Sequence, residues 1–368
     1  MTQGKAGLVA AIGVISGTSM DGIDVALIAS DGEKRVEPGP AATFPYPAKV
    51  AAALRAVVAD PAEAKKPQSD LEREVTDAHV AAVEGFLGRF AIRRDKVTLA
   101  GLHGQTILHR PRARLTRQLC VGARAAKRLG IDVVADFRSA DVAAGGEGAP
   151  LAPIYHAAIA AEIERPLMVL NWGGVGNVTW LGAKSEIIAF DTGPANALID
   201  DFLLKRRGLR FDEGGALAES GRVDAEALAA MMADPYFAEA PPKSLDRNHF
   251  QRFAERLESL SDADGAATLS AFTVEATAAA LRHAPARPKR WLVGGGGRRN
   301  RFLMGRLAER LRVPVEPVEA IGFDGDAIEA QCFAYLAIRS RLGAPISFPT
   351  TTGVAKPMTG GLFWPAGS

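Results

Sequence analysis

The same order of predicted strands and helices occurs twice along this chain, and this repetition limits the folds that the chain can adopt. Each time, short apolar runs predict a hairpin of strands, after which strands and helices follow in alternation. That order is typical of a mixed sheet covered by helices. We therefore predict an α/β chain in which one unit is duplicated.

The predicted elements form two sets. In the first third, the sequence predicts strands at 8–16, 23–30, 40–45, 97–103 and 132–135 and helices at 70–90 and 123–129. In the second half, it predicts strands at 167–171, 177–180, 186–190 and 290–293, a helix that begins at Asn196, and a final helix at 326–342. We assign residues 1–145 to an N-terminal lobe and 146–342 to a C-terminal lobe. The Gly-, Pro- and Thr-rich tail at 343–368 is expected to pack back on the N-terminal lobe.

The composition agrees with a folded, water-soluble protein. Of 368 residues, 48% are hydrophobic and 23% are charged, which excludes disorder, collagen and coiled coil as the main architecture. The formal charge of +2 gives no reason to expect nucleic acid or a membrane surface as the principal partner, and we interpret the eight basic residues at 110–138 as a solvated face. No apolar run approaches the ~20 residues of a membrane span.

Two features bear on the compartment. The N-terminal segment, with Lys5 before an apolar run, imitates a signal peptide, but its alternation into a second extended run favours a buried hairpin. Cys120 and Cys332 are too few for a disulfide framework. We therefore expect a cytoplasmic protein, and a homodimer stays open because dimers are the commonest assembly.

Four common site motifs are absent from the sequence: GxxxxGK[ST], GxGxxG, GxSxG and HExxH. Their absence argues against a P-loop, the usual dinucleotide fold, an α/β-hydrolase elbow and a zincin. The chemistry is better sought in glycine-rich loops, because the 38 glycines cluster in a few of them.

The first loop, SGTSMDGID at 16–24, lies between two predicted strands. Its two glycines allow a ligand to approach the main chain, and its Thr and Ser hydroxyls, with several N–H groups, could cradle phosphate oxygens. Asp21 or Asp24 could hold Mg²⁺ through water. The alternative is a simple hairpin turn, since Asp-Gly is a common turn dipeptide.

The second segment is FDTGPANALIDDF at 190–202, where an apolar strand ends at Asp191 and GPAN begins a helix. Ligands of α/β sheets gather where strands end, and a helix N-terminus offers free N–H groups to an anion. Asp191 would then lie at the mouth of a cleft. The alternative is an Asp that only caps the next helix or turn.

Two more glycine loops follow strands. WLVGGGGRRN at 291–300 runs from a strand into four glycines and a helix, and it could pass under an adenine and ribose because only glycine lets a flat ring lie against the main chain. NWGGVGN at 171–177 could be a second phosphate loop. A tight strand-to-helix turn and a hairpin, respectively, are the structural alternatives.

Scattered polar residues suggest where a sugar would be held. They lie in GLHGQT, DFRSAD and GGEGAPLAP, and at Asp326 and Glu329 near the start of the final helix. Taken singly, each is more simply a satisfied structural residue or a helix-terminal charge. Together they favour a central cleft between the two lobes.

These strings together resemble one family. The duplicated unit is similar to the superfamily of sugar kinases, Hsp70-type chaperones and actin, which implies two ribonuclease H-like domains around the central cleft. Within it, ISGTSMDGID, LHGQT, DFRSADVAAGGEGAPLAP, DTGPAN, PPKS, GGGG-x-x-N, DAIEAQCFAYLA and TTG resemble anhydro-N-acetylmuramic acid kinase, from residue 12 to about 365.

The resemblance implies an ATP-dependent phosphotransferase that uses Mg²⁺. It would cleave the 1,6-anhydro ring of 1,6-anhydro-N-acetylmuramic acid with water and phosphorylate O6, giving N-acetylmuramic acid 6-phosphate for murein recycling. Asp191 would be the catalytic base, and at an ordinary carboxyl pKa of ~4 it would act mostly through its position.

The other implied site residues fall into three groups. Contacts to the nucleotide are expected from Gly17, Thr18, Ser19, Met20, Asp21, Gly22, Ile23, Asp24, Gly174, Gly193, Gly294, Gly295 and Gly296. Contacts to the sugar are expected from His103, Asp141, Asn196 and Glu329. Asp21 and Asp24 are the expected Mg²⁺ residues, acting through water.

The chain departs from the family pattern at a few positions. Trp172 and Gly176 are unusual in NWGGVGN, and Ala195 replaces a glycine, which could narrow the phosphate loop by one methyl group. Two other activities stay open: another small-molecule or sugar kinase of the superfamily, which would phosphorylate a free hydroxyl, and an Hsp70-like ATPase.

Overall fold

The structure is a computed structural model that describes residues 7–17, 20 and 22–367, without the side chains of 254 and 255. The chain forms two compact units. The first runs to Glu162 and resumes at Ala327, and the second is Ile163–Asp326. Each unit is built on a mixed sheet and has its own apolar core.

The strands and longer helices are as follows. The strands are β1 (Val9–Ile15), β2 (Ile23–Ser30), β3 (Val36–Phe44), β4 (Leu99–Leu102), β5 (Gln105–Arg110), β6 (Leu115–Leu119), β7 (Asp132–Ala135), β8 (Leu167–Trp172), β9 (Val175–Leu181), β10 (Ile187–Pro194), β11 (Trp291–Gly294), β12 (Val315–Pro317) and β13 (Leu362–Trp364). The helices are α1 (Ala48–Ala59), α2 (Ser69–Arg89), α3 (Gly122–Leu129), α4 (Ser139–Ala143), α5 (Pro153–Ile159), α6 (Asn196–Arg207), α7 (Ala216–Ser220), α8 (Ala225–Met232), α9 (Asp262–Ala279), α10 (Arg301–Leu311) and α11 (Ile328–Arg341). Short 3-10 turns join several of them.

The two sheets have the same topology. In the first unit the strand order is β13-β7-β4-β1-β2-β3, and in the second it is β10-β9-β8-β11-β12. In both sheets, the first three strands form an antiparallel meander. A later strand then pairs in parallel with the first strand, and a second later strand pairs in parallel with that one. The prediction of a duplicated α/β unit is confirmed, and β13 is an addition to the first unit.

The last long helix belongs to the first unit, whereas the sequence analysis assigned it to the C-terminal lobe. Helix α11 packs against β1, β2 and β4. The close packing depends on two strand glycines: a Cβ at Gly13 would stand 1.8 Å from the Ala330 carbonyl oxygen, and one at Gly101 would stand 2.1 Å from that of Phe333. The boundary therefore falls at Ala327, and the tail beyond α11 adds β13 to the edge of the same sheet.

We expect Gly101→Ala to lower the free energy of unfolding by about 1–3 kcal/mol, because its methyl group would overlap helix main chain that cannot move independently. The control is Gly88→Ala on α2, where a Cβ meets no atom within 4 Å. That change should stabilise by up to about 1 kcal/mol through helix propensity. Denaturant melts of both variants check the prediction, and equal effects would contradict it.

Along the described residues, no helix is long and apolar enough to cross a bilayer.

Candidate active site

Asp191 lies on β10 where the strand breaks its regular pairing with β9. The register shifts between Asp191 and Gly193. Gly193 has φ +146°, and a Cβ there would stand 2.9 Å from the Ala276 Cβ atom, so both conformation and packing require glycine. The bulge changes the direction of the strand just before α6 begins, as bulges near functional sites often do.

The main chain and side chain of Asp191 are held by a segment about fifty residues further along the chain. The Leu245 N–H donates to Asp191 Oδ2 at 2.8 Å, and the Asp191 N–H donates to the Lys243 carbonyl at 3.1 Å. The Tyr236 hydroxyl donates to the Asp191 carbonyl at 2.6 Å. Among the described residues, none donates a hydrogen bond to Oδ1.

The protonation of Asp191 differs from the sequence expectation. Burial raises the pKa of its carboxyl to about 7, against smaller lowering effects of the Leu245 N–H and the Lys243 charge. Lys243 lies over the Tyr236 ring at 4.3 Å and donates to its carbonyl at 2.9 Å. A carboxyl with this pKa is a far better base at neutral pH than one at ~4, because the best catalytic pKa lies near the working pH.

The glycine loops of the second unit meet at the carboxyl ends of two parallel strands. Gly294, at the end of β11, pairs with Asn171 near the end of β8. Gly295 has φ +72°, and its Cβ would stand 2.4 Å from Asn171 Oδ1. Gly296 is exposed, with Asn196 Nδ2 as its nearest neighbour at 3.7 Å from a Cβ. The late loop thus exposes main chain at Gly296, beside the ends of these strands.

The start of α6 is not the free anion site that the sequence analysis expected. The N–H groups of Ala195 and Ala197 both donate to the Gly174 carbonyl, at 3.1 and 3.2 Å, and that of Asn196 donates to the Gly173 carbonyl at 3.0 Å. The Asn196 side chain also donates from Nδ2 to the Gly173 carbonyl, at 2.9 Å. The helix start therefore fixes the second glycine loop.

An arginine that the sequence analysis did not single out fixes the late loop. The Arg298 side chain is only 5% exposed and donates from Nη1 to the Gly295 carbonyl at 2.9 Å. It also pairs with Glu319 at 2.8 Å and with Asp326 at 2.9 Å. Asp326, one of the candidate polar residues, is thus a structural partner of the loop.

In the first unit, the loop after β1 is described in part. Gly17 accepts a hydrogen bond from the Met20 N–H at 3.1 Å, and Met20 and Ile23 place their side chains in the core. A Cβ at Gly22 would stand 2.4 Å from Thr43 Cγ2. Only the main chain of Met20 and Ile23 is thus available to a nucleotide. The expected contacts of Thr18, Ser19 and Asp21 lie outside the described residues.

A buried polar cluster holds this loop by a hydrogen bond to its main chain. The Tyr46 hydroxyl lies 2.7 Å from Ser16 Oγ, 2.9 Å from His79 Nε2 and 3.2 Å from Gln105 Oε1. Gln105 Nε2 donates to the Gly17 carbonyl at 3.2 Å. Burial lowers the pKa of His79 to about 4, so the cluster is uncharged.

His103, Arg138 and Glu329 form the polar centre of the first unit. Arg138 Nε donates to His103 Nε2 at 2.9 Å. Surrounding protein raises the pKa of the Glu329 carboxyl, repulsion by Asp24 raises it further, and Arg138 opposes both. The Glu329 side chain is nevertheless exposed to solvent.

Asp141 is held within the fold. It is 2% exposed, and its two oxygens accept from the Gly148 N–H and the Thr352 hydroxyl, each at 2.7 Å. This carboxylate is engaged with the Gly148 main chain and the Thr352 side chain of its own unit, which leaves little of it to contact a sugar directly.

The residues present fit a hydrated Mg²⁺ ion. Among the described residues, no three Asp, Glu, His or Cys side chains come together as metal ligands. Mg²⁺ at phosphate sites usually takes one or two carboxylates and keeps several waters, so a three-ligand cluster is not required. Asp24 would be such a carboxylate when the ion is bound: it accepts from Thr43 Oγ1 at 2.6 Å, and its charge acts on Glu329.

The departures from the family pattern are accommodated in the core. Trp172 is fully buried, and its Nε1–H donates to Thr277 Oγ1 at 3.0 Å. A Cβ at Gly176 would stand 2.6 Å from Thr192 Oγ1 and 3.5 Å from the Trp172 ring, so this glycine makes room for both. Ala195 is fully buried, so its methyl group does not reach a ligand surface.

Sequence comparisons agree on one family. A family profile described as Anhydro-N-acetylmuramic acid kinase matches residues 9–366. Curated relatives with that name are 52% identical in Rhodospirillum rubrum, over 98% of this chain and 95% of the relative, and 51% identical in Rhizorhabdus wittichii, over 96% and 98%. One in Paramagnetospirillum magneticum is 50% identical over 95% and 98%.

Solved structures give more distant likenesses. The activator of the 2-hydroxyisocaproyl-CoA dehydratase from Clostridium difficile, with bound ADPNP, is 11% identical with a TM-score of 0.45 over 90% of this chain and 94% of that one. A ROK family glucokinase from Streptomyces griseus, in complex with glucose and AMPPNP, is 15% identical with a TM-score of 0.38 over 90% and 99%. Likenesses at this level carry no argument about the reaction.

Proposed function

Because the chain belongs to the anhydro-N-acetylmuramic acid kinase family, we propose that it opens the 1,6-anhydro ring of 1,6-anhydro-N-acetylmuramic acid with water and transfers the γ-phosphoryl group of ATP to O6. The products are N-acetylmuramic acid 6-phosphate and ADP, and the chain is a kinase. Nothing in the comparisons favours another sugar kinase or an Hsp70-like ATPase.

The environment of Asp191 is the observation that carries this proposal. A kinase acting on a free hydroxyl and one acting on an anhydro sugar differ in their need to activate water. A half-buried carboxyl with a pKa of about 7, and with no hydrogen-bond donor to Oδ1 among the described residues, suits that task. Its other oxygen is fixed by the Leu245 N–H, which orients the carboxylate.

The reaction balances with one water. Asp191 takes a proton from water as the water oxygen forms a bond to C1, and the bond between C1 and O6 breaks. O6 then forms a bond to the γ-phosphorus of ATP, and ADP leaves. The proton on Asp191 passes to solvent and restores the base. Lys243, which stabilises the ionised carboxylate, would favour the loss of this proton from Asp191.

We assign the nucleotide to the glycine loops. In the second unit, the main chain at Gly174 and Gly296 is exposed and would contact the nucleotide. Gly193, Gly294 and Gly295 would contribute by allowing the main-chain conformation and close packing of these segments. In the first unit, residues 17–24 would contact the phosphates, with the Tyr46 cluster as their support. Phosphoryl transfer depends mostly on such positioning and on charge stabilisation.

We assign the sugar to His103 and Glu329, which lie around Arg138. Asp141 and Asn196 would support the sugar site indirectly, because the side chain of each forms a hydrogen bond to loop main chain. Mg²⁺, held through water by Asp21 and Asp24, would neutralise negative charge on the phosphates when bound.

The free state of Cys120 and Cys332 supports action in a reducing compartment such as the cytoplasm. The homodimer and the exclusion of nucleic acid stay predictions.

The proposed reaction is tested in ¹⁸O-labelled water with ATP, Mg²⁺ and the anhydro sugar. We expect one heavy oxygen at C1 and none in the phosphate ester, measured by mass spectrometry on product trapped early. Unlabelled product kept in heavy water for the same time corrects for exchange at C1. Label in the ester would refute attack at C1, and labelled inorganic phosphate without sugar product would indicate a plain ATPase.

Tyr46→Phe tests the support of the phosphate loop. Without the hydroxyl, Ser16, His79 and Gln105 lose their shared partner, so we expect the KM for ATP to rise about 5- to 20-fold and that for the sugar to stay within about twofold. The control is Tyr335→Phe, which loses a hydroxyl bonded to the Glu33 carbonyl at 2.8 Å. A similar change of both KM values in both variants would mean a general folding defect.

A further inference from the structure

A continuous line of hydrogen bonds begins in the C-terminal tail and enters the polar centre of the first unit. The Thr352 hydroxyl donates to Asp141 Oδ2 at 2.7 Å. Asp141 Oδ1 accepts from the Gly148 N–H at 2.7 Å, and the Gly148 carbonyl accepts from Arg138 Nη1 at 2.7 Å. Three successive short bonds therefore connect the tail to the arginine.

The line continues to His103 and determines which ring nitrogen carries its proton. Arg138 Nε can only donate, so His103 Nε2, at 2.9 Å, has to accept. The proton of the neutral ring then lies on Nδ1, which donates to the Gly104 carbonyl at 2.9 Å. The position of Arg138 thus fixes both the orientation and the tautomer of His103.

Burial makes each of these bonds strong. Thr352 is 0% exposed, Asp141 2% and His103 4%. In such surroundings a hydrogen bond to a charged group is worth more than in water, and a buried carboxylate that loses a donor is costly. Asp141 is therefore expected to move toward another donor if the Thr352 hydroxyl is removed.

The tail also holds the loop at 146–148 by its main chain. The Glu147 N–H donates to the Thr352 carbonyl at 2.7 Å. The loop lies close against Asp141, since a Cβ at Gly146 would stand 2.2 Å from Asp141 Oδ1. Thr352 thus contacts the loop directly through its main chain and indirectly through its side chain.

We propose that Thr352 is a positioning residue for sugar binding, which acts through Asp141, Gly148 and Arg138 to hold His103 in one orientation and one tautomer. The proposal rests on the assignment of His103 to the sugar. It gives the C-terminal tail, which follows the last helix, a part in recognising the substrate as well as in completing the sheet.

Thr352→Val tests the proposal, because it keeps the shape of the side chain and removes the hydroxyl. We expect the KM for the anhydro sugar to rise about tenfold and the KM for ATP to stay within about twofold. Thr352→Ser keeps the hydroxyl, so both of its KM values should equal those of the parent. The matched control is Thr351→Val. Among the described residues, the Thr351 hydroxyl bonds to the Phe348 main chain in the tail and to no other group, so both KM values should be unchanged.

The ¹⁵N spectrum of histidine-labelled protein gives a readout that needs no substrate. In the parent, His103 should show a protonated Nδ1 and an unprotonated Nε2, and Thr352→Val should shift these resonances or mix the two tautomers. If valine prevents folding, Thr352→Cys, with only a weak S–H donor, is used instead and the same result is expected.

The outcomes separate this proposal from the proposed function. An unchanged His103 spectrum in a folded Thr352→Val variant overturns the line of bonds, and a changed spectrum with an unchanged sugar KM overturns its part in sugar binding. If the parent protein does not convert the anhydro sugar, the proposed function fails by itself, and a direct binding measurement with the sugar then takes the place of KM in the same comparison.

Discussion

Replacing Asp191 with asparagine is expected to lower kcat about 10²- to 10⁴-fold, the usual contribution of a general base. Asparagine has the same shape and can still accept the Leu245 hydrogen bond, but it cannot take a proton from water. The affinity for ATP should stay within about twofold, because the glycine loops are unchanged. Product mass in single-turnover and steady-state reactions measures the effect.

The pH profile provides the second readout of this prediction. With the pKa of Asp191 at about 7, kcat/KM of the parent should fall as the pH drops below about 7, because the carboxyl becomes protonated. The residual activity of Asp191→Asn should lack this dependence. A parent profile that stays level down to pH 5 would place the base elsewhere.

Stability distinguishes loss of the base from loss of the fold. A carboxyl whose pKa is raised from 3.8 to about 7 favours the folded state below pH about 4, and that contribution is lost as the pH rises through about 7. At pH 8 the asparagine variant should therefore unfold at the same or a higher temperature than the parent. Asp200→Asn is the matched control, since burial raises its pKa to about 6 while it has no assigned role, and its kcat should stay within about threefold.

The elements with clear apolar patterns could be predicted from the sequence. β2 and β7 begin and end where the alternation does, and α6 begins at Asn196 as expected. The same patterns appear in both halves, so the duplicated unit could be predicted as well. β12 and β13 could not, because each has only three residues, too few to show a period of two.

The unit to which α11 belongs depends on contacts between distant parts of the chain. Its sequence position places it after the second sheet, but the glycines of β1 and β4 admit its main chain to the first. Two strand glycines, Gly13 and Gly101, make this contact possible. Considered without the helix, each of them only predicts a weaker strand. The regularly spaced alanines of α11, Ala330, Ala334 and Ala337, lie against these glycines and are the signal that could have indicated the contact.

The protonation of the site was beyond sequence reasoning for a similar reason. The pKa of Asp191 depends on its burial and on the segment 236–245, which is distant in the sequence. The polar cluster at Tyr46 likewise joins four segments of the chain. Motifs indicated the loops to which we assign the chemistry, but the residues that hold those loops occur singly and have no motif.

Gly296→Val is expected to weaken ATP binding at least about tenfold while leaving the fold and the affinity for the sugar unchanged. Gly296 is exposed, its φ lies outside the left-handed region, and a Cβ there has no protein atom closer than 3.7 Å. The Cβ atom of a valine is therefore accepted by the protein itself, and we expect the side chain to interfere with a ligand on the loop. Calorimetry with each ligand separately, and thermal melts, measure these effects.

Two further variants show whether the loss comes from the ligand or from the loop. Gly305→Val makes the same change on α10, where a Cβ meets no atom within 4 Å, and should leave ATP binding unchanged. Gly295→Ala places a methyl group 2.4 Å from Asn171 Oδ1 at φ +72°, so it should lower both the melting temperature and the affinity for ATP. If Gly296→Val binds ATP as the parent does, the nucleotide does not pass over this loop, and the assignment of Gly294 to Gly296 is wrong. Weaker binding without a lower melting temperature is the result that only a ligand on the loop can produce.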